Sequence, residues 1–291
     1  MTCQTGIIAL GTSDHAYFEL NLRGADNRAS LATIIEALNL PTTAGVNIVL
    51  GVRPELWAEL SGHKAKAHDF STPIVGKDDY TMPATQSDIW IWIASGERSH
   101  VYDTAKKLLK EISGVTELVR ETVGWVYNAN HDLTGFEDGT ENPHILSAPM
   151  IAADEEGDSI LLFQHWEHKA ASWDKTPQAE QEKVIGRTKP DSIELEGDAM
   201  LETSHVERTT VRIDGTSQEI FRRNVAYGNV LDHGTLFVGF AKDQFRTEEM
   251  LRQMAGVTGP RDALTFFTQP TSGSWYICPS LEHLGEFLPE D

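Results

Sequence analysis

Strand-like and helix-like periodicities follow one another in this chain in an order that few architectures accept. Alternation and β-branched content predict strands near residues 6–10, 16–23, 46–52, 88–95 and 118–128. Apolar spacing of the helical kind falls at 28–37 and 102–112, the latter with Lys106, Lys107 and Lys110 on its polar side. The second half predicts strands at 159–168, 206–213, 219–224, 235–241 and 273–278, with helices at 177–185 and 247–255. Helices that follow pairs of strands, instead of alternating with single strands, predict an α+β fold with antiparallel sheets. Two β-α-β-β-α-β units of the ferredoxin-like kind account for the order. The expected halves are 1–145 and 146–291. They share an order of elements and no sequence-level repeat. The polar stretch 169–200 reads as a surface helix followed by an ordered loop.

Composition narrows the partners. With 40% hydrophobic residues in 291, the chain can bury a sizeable core. The 24 basic and 44 acidic side chains leave a formal charge of −20. That argues against nucleic acid, whose affinity comes largely from Lys and Arg on phosphates, and against anionic membrane surfaces. Cys3 and Cys278 are too few for a disulfide framework or a zinc ribbon, and no Cys-x-x-Cys-His is present for covalent c-type haem. No basic, then apolar leader is read at the N-terminus. The apolar run "IWIWIA" at 89–94 is far too short to span a bilayer. A soluble, cytoplasmic protein is expected.

Three stretches could carry chemistry. "TGFEDGTENP", 134–143, gathers three carboxylates and two glycines. Asp138-Gly139 is a turn dipeptide and Asn142-Pro143 a terminator, so a capped surface loop is the plain reading. Glycine also permits close backbone approach to a bound group, and Phe136 ties the loop to apolar structure. "EIFRRNVAYGN", 219–229, places two arginines side by side on a strand, so Arg222 and Arg223 must face opposite ways. The inward one needs an anion, a carboxylate or a ligand. In "LETSHVERTTVRI", His205 enters a β-branched run, and spacing alone does not select it among 11 histidines. His165 and His168 in "HWEH" face opposite sides of a strand, which argues against a shared metal; they read as solvated, as do His63 and His68. No Gly-x-Ser-x-Gly elbow, Walker loop or dinucleotide fingerprint is present.

Together these stretches resemble a known family. "GFEDGTENP" is similar to the Gly-x-x-Asp-Gly signature of dye-decolourising peroxidases. "SHVERT" followed by "FRRNVAYG" resembles the axial-His and distal-Arg segments of the bacterial B-type members. The resemblance covers essentially the whole chain, including the double ferredoxin-like architecture. It implies a non-covalent haem b in the C-terminal half, with His205 as the axial ligand of its iron. It places Asp138 and Arg222 on the distal face, with Asn224 beside them. Asp262, in "RDALTFF", becomes the acceptor for the other ring nitrogen of His205, because a carboxylate partner raises ligand basicity. Leu236 and Phe237 match positions that line the distal pocket. Arg208 and Arg187 are expected at the haem propionates or in surface ion pairs, and Glu137 is expected in solvent.

The implied activity is oxidation of dyes, phenolics and other one-electron donors with H2O2. Breaking an O–O bond heterolytically needs a base that becomes an acid, a role for an ionised Asp138. It also needs a fixed positive charge for the departing hydroxide, a role for Arg222. Bulky donors imply electron transfer through the protein; Trp90, Trp92, Trp125, Tyr227 and Trp275 are possible relays, although alternating aromatics are more often core. The resemblance further implies a homodimer or higher homo-oligomer, and the ending "GEFLPED" is not read as a packaging tail. Two other readings stand beside this one. The first is haem handling, by iron removal or haem transfer, with incidental peroxidase activity. The second is a cofactor-free binding module in which Arg222 and Asp138 form a structural pair.

Overall fold

The two side-chain types of "IWIWI" part company as soon as the strand is built. In the computed structural model, which describes residues 2–289, the first half contributes strands β1 (Asp14–Leu22), β2 (Asn47–Val52), β3 (Ile89–Ser95) and β4 (Thr116–Trp125). They pair antiparallel in the order β4-β1-β3-β2. Helices α1 (Asn27–Leu38) and α2 (Arg98–Ile112) cover one face. Ile89, Ile91 and Ile93 pack with Leu31, Ile34 and Leu108 of those helices, while Trp90 and Trp92 turn the other way, toward Tyr17, Phe163 and Tyr276. Each isoleucine so buried contributes about 1.5–3 kcal/mol relative to exposure.

The second half supplies β5 (Ser159–His168), the short β6 (Phe221–Arg222) and β7 (Val225–Gly228), β8 (His233–Ala241), β9 (Thr268–Pro270) and β10 (Ser274–Cys278). Strand β8 takes β6 and β7 along one edge and β5 along the other; β5 takes β9 and β10 along its remaining edge. The halves join twice. Ala226 of β7 pairs with Trp125 of β4, and Ile277 of β10 pairs with Val52 of β2. The ten strands therefore close into one antiparallel barrel in a mixed α+β fold. Two aromatic-rich layers result, one inside the barrel and one beneath the helices.

Helices α3 (Pro54–Ser61), α4 (Gln178–Ile185), α5 (His205–Thr209), α6 (Gln244–Ala255) and α7 (Leu281–Gly285) complete the elements used below. No helix among the described residues is long and apolar enough to cross a membrane.

Three expectations fail for local reasons. The strand expected at 6–10 is a helical turn, Thr5–Ile8, anchored because the Gln4 amide exchanges hydrogen bonds with the backbone of Leu50. The strand expected at 206–213 begins as α5, which Ser204 caps by accepting from Glu207 N–H. The strand expected at 219–224 breaks between Arg222 and Val225, with consequences for the site. Helix α3 lacked a sequence expectation altogether.

Candidate active site

The acidic loop after β4 is built by its own polar groups. The backbone N–H of Asp138 donates to Asn130 O at 2.8 Å, and Asn130 Nδ2 donates to Asp138 O at 2.7 Å. Gly139 holds φ at 79°, a left-handed turn that favours glycine, and a Cβ there would stand 3.0 Å from Asn142 Nδ2. Asn142 has a second task that its place before proline did not suggest. Its side chain accepts from Arg222 N–H and donates to Arg222 O, both at 2.9 Å. The amide thus stands in for a neighbouring strand and fastens the loop to β6.

Just beyond, the strand break is bridged by Asn224. Its Oδ1 accepts from Val238 N–H at 2.9 Å, which leaves Nδ2 to donate to Asp138 Oδ2 at 2.8 Å. Arg222 and Arg223 diverge as alternation requires. Arg223 lies over the Trp92 ring and donates to the carbonyls of Ile7 and Ala9. Arg222 lines the cavity described next, and no ion pair with a described residue engages its guanidinium. The structural Arg222–Asp138 pair considered above is not formed; the partner of Asp138 is Asn224.

The cavity holds about 390 Å³ and is walled by the loop, by β5, β6 and β8, and by α5 and α6. Ile185, Val206, Ile220, Phe237, Met254 and Leu264 supply its apolar surface. His205, the first residue of α5, also lines it. Its Nδ1–H donates at 2.7 Å to Oδ2 of Asp262, which is fully buried and whose other oxygen accepts from Leu264 N–H. With Nδ1 engaged, Nε2 is the ring atom left for a ligand.

Not every expected residue reaches this space. Phe237 does, but Leu236 points into the barrel interior, because neighbours on β8 face opposite sides. Arg208 is turned away too. It donates to the carbonyls of Gln253 and Thr258 at the C-terminal end of α6, where a cation suits the helix end. Arg187 lines the cavity and pairs with Glu141 and Glu194. Glu137 is exposed and borders it.

Two histidines expected in solvent are not there. His165 is buried inside the barrel against Thr122 and Ser272, and burial lowers its pKa to about 3. His168, on the other face of β5, lines the cavity with its pKa lowered to about 4, mainly by burial. Asp132 was likewise unsuspected. It lines the cavity, accepts from Thr134 N–H at 2.8 Å, and is pushed up to about 6 by burial.

A flat iron macrocycle fits these residues. The space joins an apolar lining to one free imidazole nitrogen backed by a buried carboxylate, the pattern that orients metal-bound histidine. Gln164, on the same wall, has a buried Nε2 without a hydrogen-bond partner among the described residues, as expected where a bound group completes the surroundings.

Residues 5–126 match the family model for the N-terminal part of Dyp-type peroxidases, and 129–283 match the model for the C-terminal part. The chain belongs to the Dyp-type peroxidase family. Members of this family are haem-dependent peroxidases. A dye-decolorizing peroxidase of Mycobacterium tuberculosis is 30% identical over 92% of this chain and 86% of its own length. DyPB of Rhodococcus jostii superposes with a TM-score of 0.87 at 29% identity, covering 94% of each chain. A variant of that protein is known in complex with haem. A dye-decolorizing protein from V. cholerae gives a TM-score of 0.87 at 30% identity, over 97% of this chain and 99% of its own. The chain thus has the two-part, antiparallel architecture of the Dyp-type peroxidases.

Proposed function

We propose that in this haem-dependent peroxidase His205 would hold the haem iron through Nε2, with Asp262 as its supporting acceptor, and that Asp138, Arg222 and Asn224 are the groups that act on H2O2. One observation carries the reading: a single cavity receives both the Asp262-backed imidazole and the Asp138–Asn224 pair beside an uncommitted guanidinium. Haem, when bound, supplies the iron that activates peroxide and takes up its oxidising equivalents. Asp138 accepts a proton from one peroxide oxygen and returns it to the departing one. Asn224 holds the carboxylate in a single orientation for both transfers. Arg222 supplies a fixed positive charge for the negative charge that develops on the departing oxygen before Asp138 protonates it, in a site walled largely by apolar side chains. Asp262 keeps the His205 ring from rotating and raises the basicity of Nε2.

Dyes, phenolics and similar one-electron donors are the proposed reductants. Each half is read as ferredoxin-like, divided near 145, which the strand order of each half supports. A homo-oligomer is supported by exposed Leu146, Val230 and Leu231, and a cytoplasmic setting by two buried cysteines left unpaired. Light scattering and cell fractionation test these two.

Stopped-flow absorption of haem-loaded protein with one equivalent of H2O2 tests the activity. A Soret band that falls quickly and returns with a phenol supports the assignment. A band indifferent to peroxide would favour haem handling instead.

A further inference from the structure

A second constellation of metal-binding side chains lies where the segment after α3 meets α7. Helix α7 is capped by Ser280, whose hydroxyl accepts from His283 N–H, so the cap fixes where the His283 ring enters the fold. That ring is 3% exposed by residue. Its Nδ1–H donates at 2.8 Å to Oδ1 of Asp158, a carboxylate with 1% exposure that also accepts from Ser280 N–H. A buried imidazole held through Nδ1 by a buried carboxylate presents Nε2 with its lone pair free, the arrangement that prepares a histidine for metal. The ring of His63, in the segment after α3, lies 4.0 Å from that of His283, centre to centre. His63 Nε2 stands 3.0 Å from Oε2 of Glu286, just past α7. One donor atom from each of His63, His283 and Glu286 lies within 4.8 Å of the others.

We propose that His63, His283 and Glu286 bind one divalent transition-metal ion of the zinc class, with water in the fourth position. Two imidazoles and one carboxylate form a borderline nitrogen–oxygen set, suited to zinc and unsuited to magnesium or calcium. Tetrahedral zinc with bonds of about 2.0–2.1 Å holds its ligand atoms about 3.3 Å apart. The needed contraction falls on the two outer side chains, His63 at 29% and Glu286 at 48% exposure, while His283 stays fixed. Zinc takes the place of the hydrogen bond between His63 and Glu286. The neighbouring trio of Asp154, Glu156 and Asp158 is no competitor, because Lys66 Nζ sits among them at 2.6–2.7 Å. The bound ion clamps a loop of the first half to the last helix and leaves the haem cavity untouched.

The test is calorimetric titration of chelator-stripped, haem-loaded protein with Zn2+, combined with zinc-edge X-ray absorption and thermal melts. One ion per chain is expected, with nitrogen and oxygen neighbours at about 2.0–2.1 Å, a higher melting temperature and an unchanged Soret band. E286Q and H63Q should each weaken binding at least ~10-fold. D158N should weaken it roughly 10–100-fold, as loss of an outer-shell partner does. H144Q, at an exposed site elsewhere, should change nothing. Both E286Q and H63Q alter partly exposed side chains, so their melts without zinc should match the parent. Absence of binding, binding indifferent to E286Q and H63Q, or sulfur neighbours would each overturn the proposal. So would zinc uptake that perturbs the Soret band, which would place the ion in the haem cavity.

Discussion

Asn224 Nδ2 donates to Asp138 Oδ2 at 2.8 Å, joining two residues 86 positions apart from within the break between β6 and β7. The other end of the same amide holds Val238 N–H. N224A removes both bonds. The rate of reaction with H2O2 should fall, by less than it does on loss of the acid–base group itself in D138A. Haem content should be unchanged. Stopped-flow rates beside the Soret absorbance of the purified variant decide it.

On the proposed reading, Arg222 and Asp138 divide the work unequally. Separation of charge in the departing hydroxide needs the guanidinium throughout, whereas water can carry a proton in place of a carboxylate. R222L should lower kcat/KM for H2O2 by roughly 100–1,000-fold, and D138A by distinctly less. Equal losses would sink this ordering.

On the proposed reading, Asp262 acts through His205. D262N keeps the bond to Leu264 N–H through its carbonyl oxygen but withdraws the negative charge behind the imidazole. A less basic ligand favours ferrous over ferric iron, so the reduction potential should rise and haem affinity should fall roughly 10–100-fold. Spectroelectrochemical titration reads the first and haem-transfer kinetics the second; an unchanged potential removes Asp262 from this role.

Asp132 gives the stability a pH dependence of known sign. Its folded pKa is raised to about 6 from an ordinary 3.8. Between those values the folded chain binds more protons than the unfolded one, so this group's effect turns unfavourable as pH rises through that window. Asparagine stays neutral and can still accept from Thr134. D132N should therefore melt higher than the parent at pH 7.5, with the gap closing toward pH 4. A gap that is constant with pH would assign the effect to something other than ionisation.

Closure of the barrel depends on an absent side chain. A Cβ at Gly234 would come 1.8 Å from Trp166 O, where β8 meets β5. G234A should lower stability by about 1–3 kcal/mol, the range for overpacking, measured by denaturant unfolding of the haem-loaded protein. G197A, where nothing lies within 4 Å of the added Cβ, tests only the positive φ of 54° and should lose less.

Periodicity made most of the scaffold legible before any contact was known. The strand expected at 159–168 is Ser159–His168, and the helices expected at 28–37 and 102–112 lie within Asn27–Leu38 and Arg98–Ile112. Burial on one face repeats every second or every 3.6 residues, so it is written into neighbouring positions. The same alternation sent Arg222 and Arg223 to opposite faces. The acidic loop, His205 and Arg222 were selected by resemblance, since turn chemistry and spacing left each of them ambiguous.

Tertiary structure decided what depends on groups far apart in the chain. The two pairings that close the barrel, Ala226 with Trp125 and Ile277 with Val52, leave no local period behind them. Asn142 became a strand partner for Arg222, Arg208 a cap for α6, and His168 part of the cavity wall, because each polar group binds whatever stands about 3 Å away. Leu236 went inward and Phe237 outward once β8 found its neighbours. Local order specifies which face of each element is buried, while the partners of individual side chains are set only when distant elements close upon one another.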